Sequence, residues 1–195
     1  MHYLSDDEVR SLEEKANEIR QSIIEMLVEA GSGHTAGPLD MADIFTLLYF
    51  QTLKHNPKDP YWKDRDRLIL SNGHICPVLY ATMAHAGYFP ESELLSLRKF
   101  GSRLQGHPHK EALPGIETSS GPLGSGLSQA IGMALAERID NPYSAKYFYC
   151  LLGDGELNEG QIWEAMLLAG KERLYNLIAI VDRNGIQIDG YTEDV

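Results

Sequence analysis

The segment from Tyr147 to Gly190, YFYCLLGDGELNEGQIWEAMLLAGKERLYNLIAIVDRNGIQIDG, contains the features that decide the fold. Its apolar and aromatic start, Tyr147 to Leu152, is typical of a buried strand, and the strand stops at a Gly-Asp-Gly turn. Apolar residues then follow at helical spacing up to a stop at Gly170, and Leu177 to Val181 predicts another buried strand. The segment therefore predicts a βαβ unit with polar residues at both strand exits.

The polar residues at these exits are Asp154 and Asn184. Because a right-handed crossover places the carboxyl ends of parallel strands at one sheet edge, we expect the two side chains to lie close together. A carboxylate and an amide carbonyl are hard oxygen ligands, which Mg²⁺ takes together with phosphate oxygens and water. The unit therefore suggests a site for Mg²⁺ and phosphate. For the Gly-Asp-Gly tripeptide alone, an ordinary surface turn is the alternative.

The complete pattern adds a family resemblance. GDG followed by a second strand and asparagine is similar to the thiamine diphosphate motif, and GDGELNEG with VDRNGIQIDG resembles transketolases. The resemblance implies that Asp154, Asn184 and the carbonyl of Ile186 bind Mg²⁺ beside the cofactor diphosphate. Gly185 departs from the family, which often has lysine there.

Composition indicates an ordinary globular chain of 195 residues with 43% apolar and 23% charged residues, and we expect one domain over residues 1–195. A net charge of −11 argues against a nucleic-acid partner, which needs a basic surface. The sequence has neither an apolar run of about 20 residues nor a signal peptide, so we expect a cytoplasmic protein without membrane contact. Cys76 and Cys150 are expected to be buried free thiols.

The N-terminal part predicts a helix that starts with a capping box at Ser5 to Glu8 and ends at Gly31. A glycine-rich loop with His34 follows, and then a second helix from about Leu39 to Gln51. A lone loop histidine is more often a surface residue than a catalytic one. The segment SGH resembles transketolases, however, and implies that His34 faces the sugar and the thiazolium ring. Thr35-Ala36 departs from the proline usual in the family.

A short strand, Arg67 to Leu70, is predicted next, with His74 at its exit and a helix from Pro77 to Ala86. Helix N-termini attract anions, and an imidazole could add a donor, although His74 could also merely cap the helix. The segment DRLILSNGH resembles the transketolase segment whose histidine contacts the cofactor diphosphate. His85, on the following helix, is expected to be structural.

A short helix is predicted from Pro90 to Phe100, followed by a loop with Gly106-His107-Pro108. The GHP segment resembles transketolases and implies that His107 bonds the hydroxyl groups of the donor sugar. The segment TSSGPLGSGLS, 118–128, then precedes a helix from Gln129 to Ile139. Its glycines allow close backbone approach to a ligand or, equally, a flexible surface loop. Its resemblance to the family loop implies that Gly121 touches the diphosphate and Leu123 the aminopyrimidine.

The resemblance covers essentially the whole chain in five ordered segments. It implies an α/β fold with a parallel sheet flanked by helices, the diphosphate-binding domain of thiamine diphosphate enzymes. The implied function is transfer of a two-carbon ketol unit between sugar phosphates, as in the pentose phosphate pathway, with His34 and His107 as catalytic residues. The implied cofactor-binding residues are His74, Gly121, Leu123, Gly153, Asp154, Gly155, Glu159 and Asn184.

Two of these expectations have alternatives. Glu159 is favoured at the start of its helix by the helix dipole alone, whereas the family glutamate couples two cofactor sites across a dimer. Tyr61, Trp62 and Trp163 are expected to be core or interface aromatics rather than substrate platforms.

In the family, a glutamate of a separate pyrimidine-binding domain activates the cofactor, and no such domain is found in this sequence. We therefore expect the N-terminal subunit of a split transketolase, paired with a C-terminal subunit in a heterotetramer with two of each chain. A fragment or a truncated product would have the same sequence features. Another thiamine diphosphate enzyme, such as 1-deoxyxylulose 5-phosphate synthase, and a non-catalytic cofactor-binding subunit remain alternatives.

Overall fold

The computed structural model of the chain describes residues 3–188 and 190–194, and these form two compact units. The helical unit falls within Met1–Trp62, His74–Gly106 and Ala112–Gly115. The sheet unit falls within Lys63–Gly73, His107–Glu111 and Ile116–Val195. Among the described residues, no helix is both long enough and apolar enough to cross a bilayer.

The first helix of the helical unit, α1 (Asp6–Ala30), has well-defined ends. The Ser5 hydroxyl accepts a hydrogen bond from the Glu8 N–H at 3.3 Å, and the Ser5 N–H donates to the Glu8 carboxylate at 2.8 Å. These bonds form the predicted capping box. Gly31 ends the helix in the left-handed region with φ of 62°. The prediction for this helix is confirmed.

The single helix predicted from Leu39 to Gln51 is wrong. The structure has three shorter elements here, α2 (Ala36–Asp40), α3 (Ala42–Leu47) and a π-helical turn (Leu48–Thr52). Arg20 of α1 donates to the Leu39 carbonyl at 3.1 Å and pairs with the Asp43 carboxylate at 2.6 Å. A side chain from α1 therefore engages the acceptor that a continuous helix would use for its own ladder.

The helical unit also contains α4 (Cys76–His85), which matches its prediction closely and is buried on nearly all sides. His85 at its end lies 2.9 Å from the Ser22 hydroxyl, which agrees with the structural role expected for it. The helix predicted from Pro90 to Phe100 is only a 3₁₀ helix, Glu91–Ser96.

The sheet unit contains the predicted parallel sheet. Its strands are β1 (Arg67–Leu70), β2 (Phe148–Gly153) and β3 (Leu177–Asp182), in the order β1-β2-β3. Two helices, α5 (Ser125–Asp140) and α6 (Gly160–Glu172), share one buried apolar core with the strands. The α/β prediction is therefore confirmed. A small antiparallel hairpin, β4 (Ile186–Gln187) and β5 (Gly190–Tyr191), follows β3.

Three details of the sheet unit differ from prediction. Helix α5 begins at Ser125, inside the segment predicted to be a loop, and not at Gln129. β3 is not fully buried: Ile178 is 36% exposed, and Ala179 is exposed as well. Within the described residues β3 pairs only with β2, so it forms an edge of the sheet. Helix α6 does not stop at Gly170 but continues to Glu172, and Arg173 ends it with φ of 51°.

The structure also shows the burial of the cysteines and aromatic residues for which the sequence predicted no catalytic or binding role. Cys76 and Cys150 are buried free thiols, as predicted, and burial raises the pKa of Cys76 to about 12. Tyr61, Trp62 and Trp163 are 68%, 37% and 56% exposed, so they are not core residues, and the interface role expected as the other possibility stays a prediction.

Candidate functional site

Asp154 joins the carboxyl ends of β2 and β3. Its side chain is buried, and Oδ1 accepts a hydrogen bond from the Gly155 N–H at 2.9 Å. Oδ2 accepts a bond from the Gly185 N–H at 2.7 Å, beyond the end of β3. The Asp154 N–H donates to the Asp182 carbonyl at 3.0 Å. The sheet therefore brings the two strand exits together as the βαβ pattern predicts.

Asn184 lies on the same loop, with its side chain held at both ends. Oδ1 accepts a hydrogen bond from the Ile186 N–H at 3.0 Å, and Nδ2 donates to the Asp182 carboxylate at 3.3 Å. These two bonds fix the amide plane and leave a second lone pair on Oδ1. Asn184 is exposed, so that lone pair faces solvent or a ligand.

The β4–β5 hairpin determines where the Ile186 carbonyl points. The Thr192 N–H donates to the Gly185 carbonyl at 3.0 Å, so this pair is hydrogen-bonded. The next pair, Ile186 and Tyr191, is then a non-hydrogen-bonded pair of the antiparallel ladder. The N–H and C=O of Ile186 therefore point away from β5, and the N–H reaches Asn184.

These groups fit a magnesium ion bound with a diphosphate. A carboxylate, an amide oxygen and a main-chain carbonyl are hard ligands, and Mg²⁺ usually retains water or phosphate oxygens besides. Across residues 3–188 and 190–194, no group of three or more His, Cys, Asp or Glu side chains could hold a metal. The donor set at this edge is thus a partial one, which phosphate oxygens would complete.

Glu156 forms a second junction in the sheet unit. It is only 2% exposed, although it immediately follows the Gly-Asp-Gly turn. Oε1 accepts hydrogen bonds from the Ser71 hydroxyl and, at 2.5 Å, from the Gly124 N–H. Oε2 accepts one from the Gly153 N–H at 3.1 Å. One carboxylate therefore joins the end of β2, just before its own turn, to the segment after β1 and to the loop before α5.

The loop GPLGSG, 121–126, is held by further bonds. The Gln161 side chain of α6 donates to the Leu123 carbonyl at 2.9 Å. Gly124 has φ of +84°, and an added Cβ would lie 2.8 Å from Gln161, so a side chain is excluded there. Gly121 has open space around the position of a Cβ, and Leu123 is half-buried. The loop is therefore held at Leu123 and Gly124, and the close approach of its backbone to a ligand stays a prediction.

His107 of the sheet unit is exposed and lies close to Gly73. A Cβ added to Gly73 would lie 3.2 Å from the His107 ring and 2.4 Å from the Ser120 side chain. The Ser120 N–H donates to the Pro108 carbonyl at 3.0 Å, and its hydroxyl donates to the Leu70 carbonyl at 2.5 Å. The GHP segment is therefore fixed beside the exit of β1.

His34 and His74 meet in the helical unit. Their ring centroids lie 5.0 Å apart at an interplanar angle of 56°. His34 is exposed on the loop between α1 and α2, and His74 is half-buried just before α4. Gly33 has φ of +130°, and an added Cβ would lie 2.5 Å from the Leu27 side chain. Glycine therefore holds the loop tightly against α1 and positions the exposed imidazole.

Glu159 lies at the N-cap of α6 and is exposed. Its side chain makes no capping hydrogen bond to the helix. A carboxylate at this end of a helix is favoured by the dipole. The local structure therefore agrees with the dipole explanation and leaves the carboxylate accessible.

A buried ion pair lies elsewhere in the sheet unit. Glu117 accepts from Arg65 at 2.7 Å, and the Arg67 guanidinium lies 3.7 Å from the same carboxylate. Burial raises the pKa of Glu117 to about 7, and Arg65 opposes that rise. Glu117 and Arg65 lie outside the segments that the resemblance assigns to the cofactor, whereas Arg67 lies in DRLILSNGH, seven residues before His74.

The sequence interpretation missed Glu156, Ser71 and Gln161. These side chains hold neighbouring loops by hydrogen bonds, and the resemblance assigns none of them to metal, cofactor or substrate. Glu156 and Glu159 stand in the same polar run, GELNEG, and no local pattern separates the buried carboxylate from the exposed one. Ser71 alone had a recognisable signal, its position directly after β1, because ligands bind at the carboxyl ends of strands in a parallel sheet.

A family model matches almost the whole chain. Residues 11–195 match the family model described as transketolase, thiamine diphosphate binding domain. The chain belongs to this family, whose cofactor is thiamine diphosphate, and Mg²⁺ is the usual metal in transketolases. The suspected resemblance is confirmed.

Similar proteins include both complete transketolases and a subunit. The 6-deoxy-6-sulfo-D-fructose transketolase subunit SqwG of Clostridium sp. (strain MSTE9) is 44% identical, over 94% of this chain and 66% of that protein. Transketolase 2 of Escherichia coli (strain K12) is also 44% identical, over 94% of this chain and 29% of that protein. The solved transketolase from Leishmania mexicana has a TM-score of 0.88 at 39% identity, covering 98% of this chain and 29% of that chain.

Proposed function

We propose that this chain is the N-terminal part of a transketolase that transfers a two-carbon ketol unit from a ketose phosphate to an aldose phosphate. The observation that carries the proposal is the meeting of Asp154 with the loop of Asn184 and Ile186 at the sheet edge. This oxygen donor set occurs in a chain whose family binds thiamine diphosphate. The transferase class is supported by the family, whereas the substrates are part of the proposal.

Asp154, Asn184 and the Ile186 carbonyl would hold Mg²⁺ beside the diphosphate. Asp154 is fixed by a hydrogen bond from Gly185 of the neighbouring loop, and Asn184 by one from Ile186 of its own loop. The direction of the Ile186 carbonyl follows from the hairpin register. Such preorganisation lowers the cost of ordering the ligands when the metal binds. The further cofactor contacts would come from His74, Gly121, Leu123, Gly153, Gly155 and Glu159.

When bound, thiamine diphosphate supplies the nucleophilic carbon and the electron sink for cleavage of a carbon–carbon bond. The residues of this chain bind and orient the reactants. His34 and His107 are exposed imidazoles on loops fixed by tight glycine contacts. They would hydrogen-bond sugar hydroxyl groups and move protons, since an imidazole ring has nitrogens that can donate and accept hydrogen bonds.

The proposal includes a partner chain that carries the pyrimidine-binding domain, in a heterotetramer with two of each chain. The chain spans about 29% of the length of the complete transketolases that it matches, and 66% of the protein named a subunit. Apolar surface on the sheet unit also supports further polypeptide packed there. Leu167 and Tyr175 are both 75% exposed, and the edge strand β3 is open in the described residues.

The test is ketol transfer from xylulose 5-phosphate to ribose 5-phosphate with thiamine diphosphate and Mg²⁺. The chain is assayed alone and after co-expression with a chain that carries a pyrimidine-binding domain. We expect activity only in the mixture. A verified complex that binds the cofactor but transfers no ketol unit would refute the sugar phosphate chemistry.

A parallel assay with 6-deoxy-6-sulfo-D-fructose as donor distinguishes the donor class. That compound appears in the name of one similar protein, and it carries a sulfonate where a phosphosugar carries phosphate. We expect the phosphorylated donor to be preferred. Preference for the sulfonated sugar would keep the transketolase reaction and correct the substrate.

A further inference from the structure

We propose that Glu156 is a positioning residue that fastens three cofactor-site loops of the sheet unit into one arrangement. It contacts one residue that the proposed site assigns to the cofactor, through the Gly153 N–H, and it is not itself assigned to metal, cofactor or substrate. From the turn after β2, its carboxylate accepts hydrogen bonds from Ser71 after β1, from Gly124 before α5 and from Gly153 at the end of β2. These loops lead directly to His74, Leu123 and Asp154.

The contacts require an acceptor with two oxygens. The Ser71 hydroxyl and the Gly124 N–H both donate to Oε1, and the Gly153 N–H donates to Oε2. An ionised carboxylate is an acceptor only, so it can satisfy all three donors at once. Bonds of this kind to a charged acceptor are stronger than neutral ones. A carboxamide would place its NH₂ group against at least one of these donors.

The fastening extends one bond further. The Ser71 hydroxyl that donates to Glu156 also accepts from the Gly126 N–H at 3.1 Å. Gly126 is so close that an added Cβ would lie 2.7 Å from the Ser71 Cα. The segment after β1 is therefore tied to the loop before α5 through Glu156 and to the first turn of α5 directly through Ser71.

Because these hydrogen bonds are buried, the positions of the loops depend on them. Glu156 is 2% exposed and Ser71 is buried, so water cannot replace a lost partner without opening the structure. Loosening the carboxylate would release the Gly124 and Gly153 amides together. The backbone beside Leu123 and Asp154 would then sample other positions, and cofactor affinity would fall without loss of any direct ligand.

The experiment compares Glu156→Gln with wild type and with the control Glu14→Gln, an exposed residue of α1. The variants are made in the assembled protein that contains this chain. Titration calorimetry measures the Kd of thiamine diphosphate at saturating Mg²⁺, and hydrogen exchange measures the Gly124 and Gly153 amides. We expect Kd to rise about 10- to 100-fold, the range typical of residues that orient ligands. Exchange of both amides should be faster, and kcat at saturating cofactor should stay within about twofold.

The consequence for cofactor affinity depends on the proposed function, whereas the fastening of the loops does not. If wild type does not bind thiamine diphosphate, the proposed function fails, and hydrogen exchange alone still tests Glu156. If wild type binds and a folded Glu156→Gln variant has unchanged Kd and exchange, the positioning role is overturned.

A second variant keeps the test decisive if Glu156→Gln does not fold. Ser71→Ala removes the hydroxyl that bridges Glu156 and Gly126 but leaves the carboxylate in place. We expect faster exchange at Gly126 and a smaller rise in Kd. Unchanged exchange and unchanged Kd in Ser71→Ala would equally overturn the proposal.

Discussion

Replacing Gly126 with alanine tests whether the close approach of α5 to the end of β1 is real. The added Cβ would lie 2.5 Å from the Ser71 Cβ and 2.7 Å from its Cα. The second of these atoms belongs to the backbone, so a rotamer change of Ser71 cannot relieve the overlap. The loop before α5 or the end of β1 must move instead.

The magnitude follows from two opposing effects. Overpacking of a tight site costs about 1–3 kcal/mol, and loss of the bond from the Gly126 N–H to the Ser71 hydroxyl costs about 1 kcal/mol. Alanine recovers up to about 1 kcal/mol over glycine in a helix. The net loss in the free energy of unfolding is therefore about 2 kcal/mol. For a chain of this size, that corresponds to a drop in Tm of roughly 4–8 °C.

Gly132 of the same helix provides a matched control. It is exposed, and no atom lies within 4 Å of the position of an added Cβ. Gly132→Ala should therefore raise the free energy of unfolding by about 0.5–1 kcal/mol. Urea unfolding of the protein containing this chain gives both values. If Gly126→Ala is as stable as wild type, or is stabilised as much as Gly132→Ala, the inferred contact is wrong.

Three further predictions concern the site and the buried ion pair. Asp154→Asn should weaken Mg²⁺-dependent cofactor binding by about 100-fold or more, since even mutations of residues behind the metal ligands lower metal affinity by about 10- to 100-fold. Asp140→Asn is the control. An unchanged affinity of Asp154→Asn in calorimetry would show that Asp154 is not a metal ligand. His107→Ala should lower kcat/KM for the donor sugar by about 100-fold or more while cofactor affinity is retained, in line with loss of a general acid–base group; normal donor kinetics would place His107 outside the site. Burial raises the pKa of Glu117 to about 7, from 4.5 in the unfolded chain, so the folded state binds this proton more tightly. Protonation of Glu117 therefore stabilises the fold at low pH, and this stabilisation is lost as pH rises from about 4.5 to 7. Glu117→Gln should flatten that fall in urea midpoints, and parallel pH curves for variant and wild type would contradict the shift.

Local patterns predicted the parts of the fold that local chemistry controls. The capping box at Ser5 and Glu8 satisfies backbone groups within one turn, so its sequence is sufficient to place the start of α1. The βαβ pattern likewise predicted that Asp154 and Asn184 would meet, because the crossover rule fixes which strand ends share an edge. The structure brings the Asp154 carboxylate to 2.7 Å from the Gly185 N–H, next to Asn184.

Contacts between segments that are distant in sequence could not be predicted from local patterns. The predicted helix is divided near Leu39, whose carbonyl accepts a hydrogen bond from Arg20 of α1, and no feature near Leu39 indicates this contact. The exposure of β3 likewise depends on segments that are distant in sequence. Its apolar composition predicts a buried strand, but exposure depends on how many neighbours the sheet supplies.

The sequence by itself determined the family, the parallel sheet and the side chains proposed to meet metal and cofactor, because their chemistry requires particular residue types at particular strand exits. Tertiary structure alone decided how the loops carrying them are held. Glu156 and Glu159 have the same chemistry in the same short run, yet one is buried among three donors and the other is exposed at a helix end. That difference is set by where Ser71 and Gly124 lie in space, since burial and hydrogen-bond partners are properties of the packed chain.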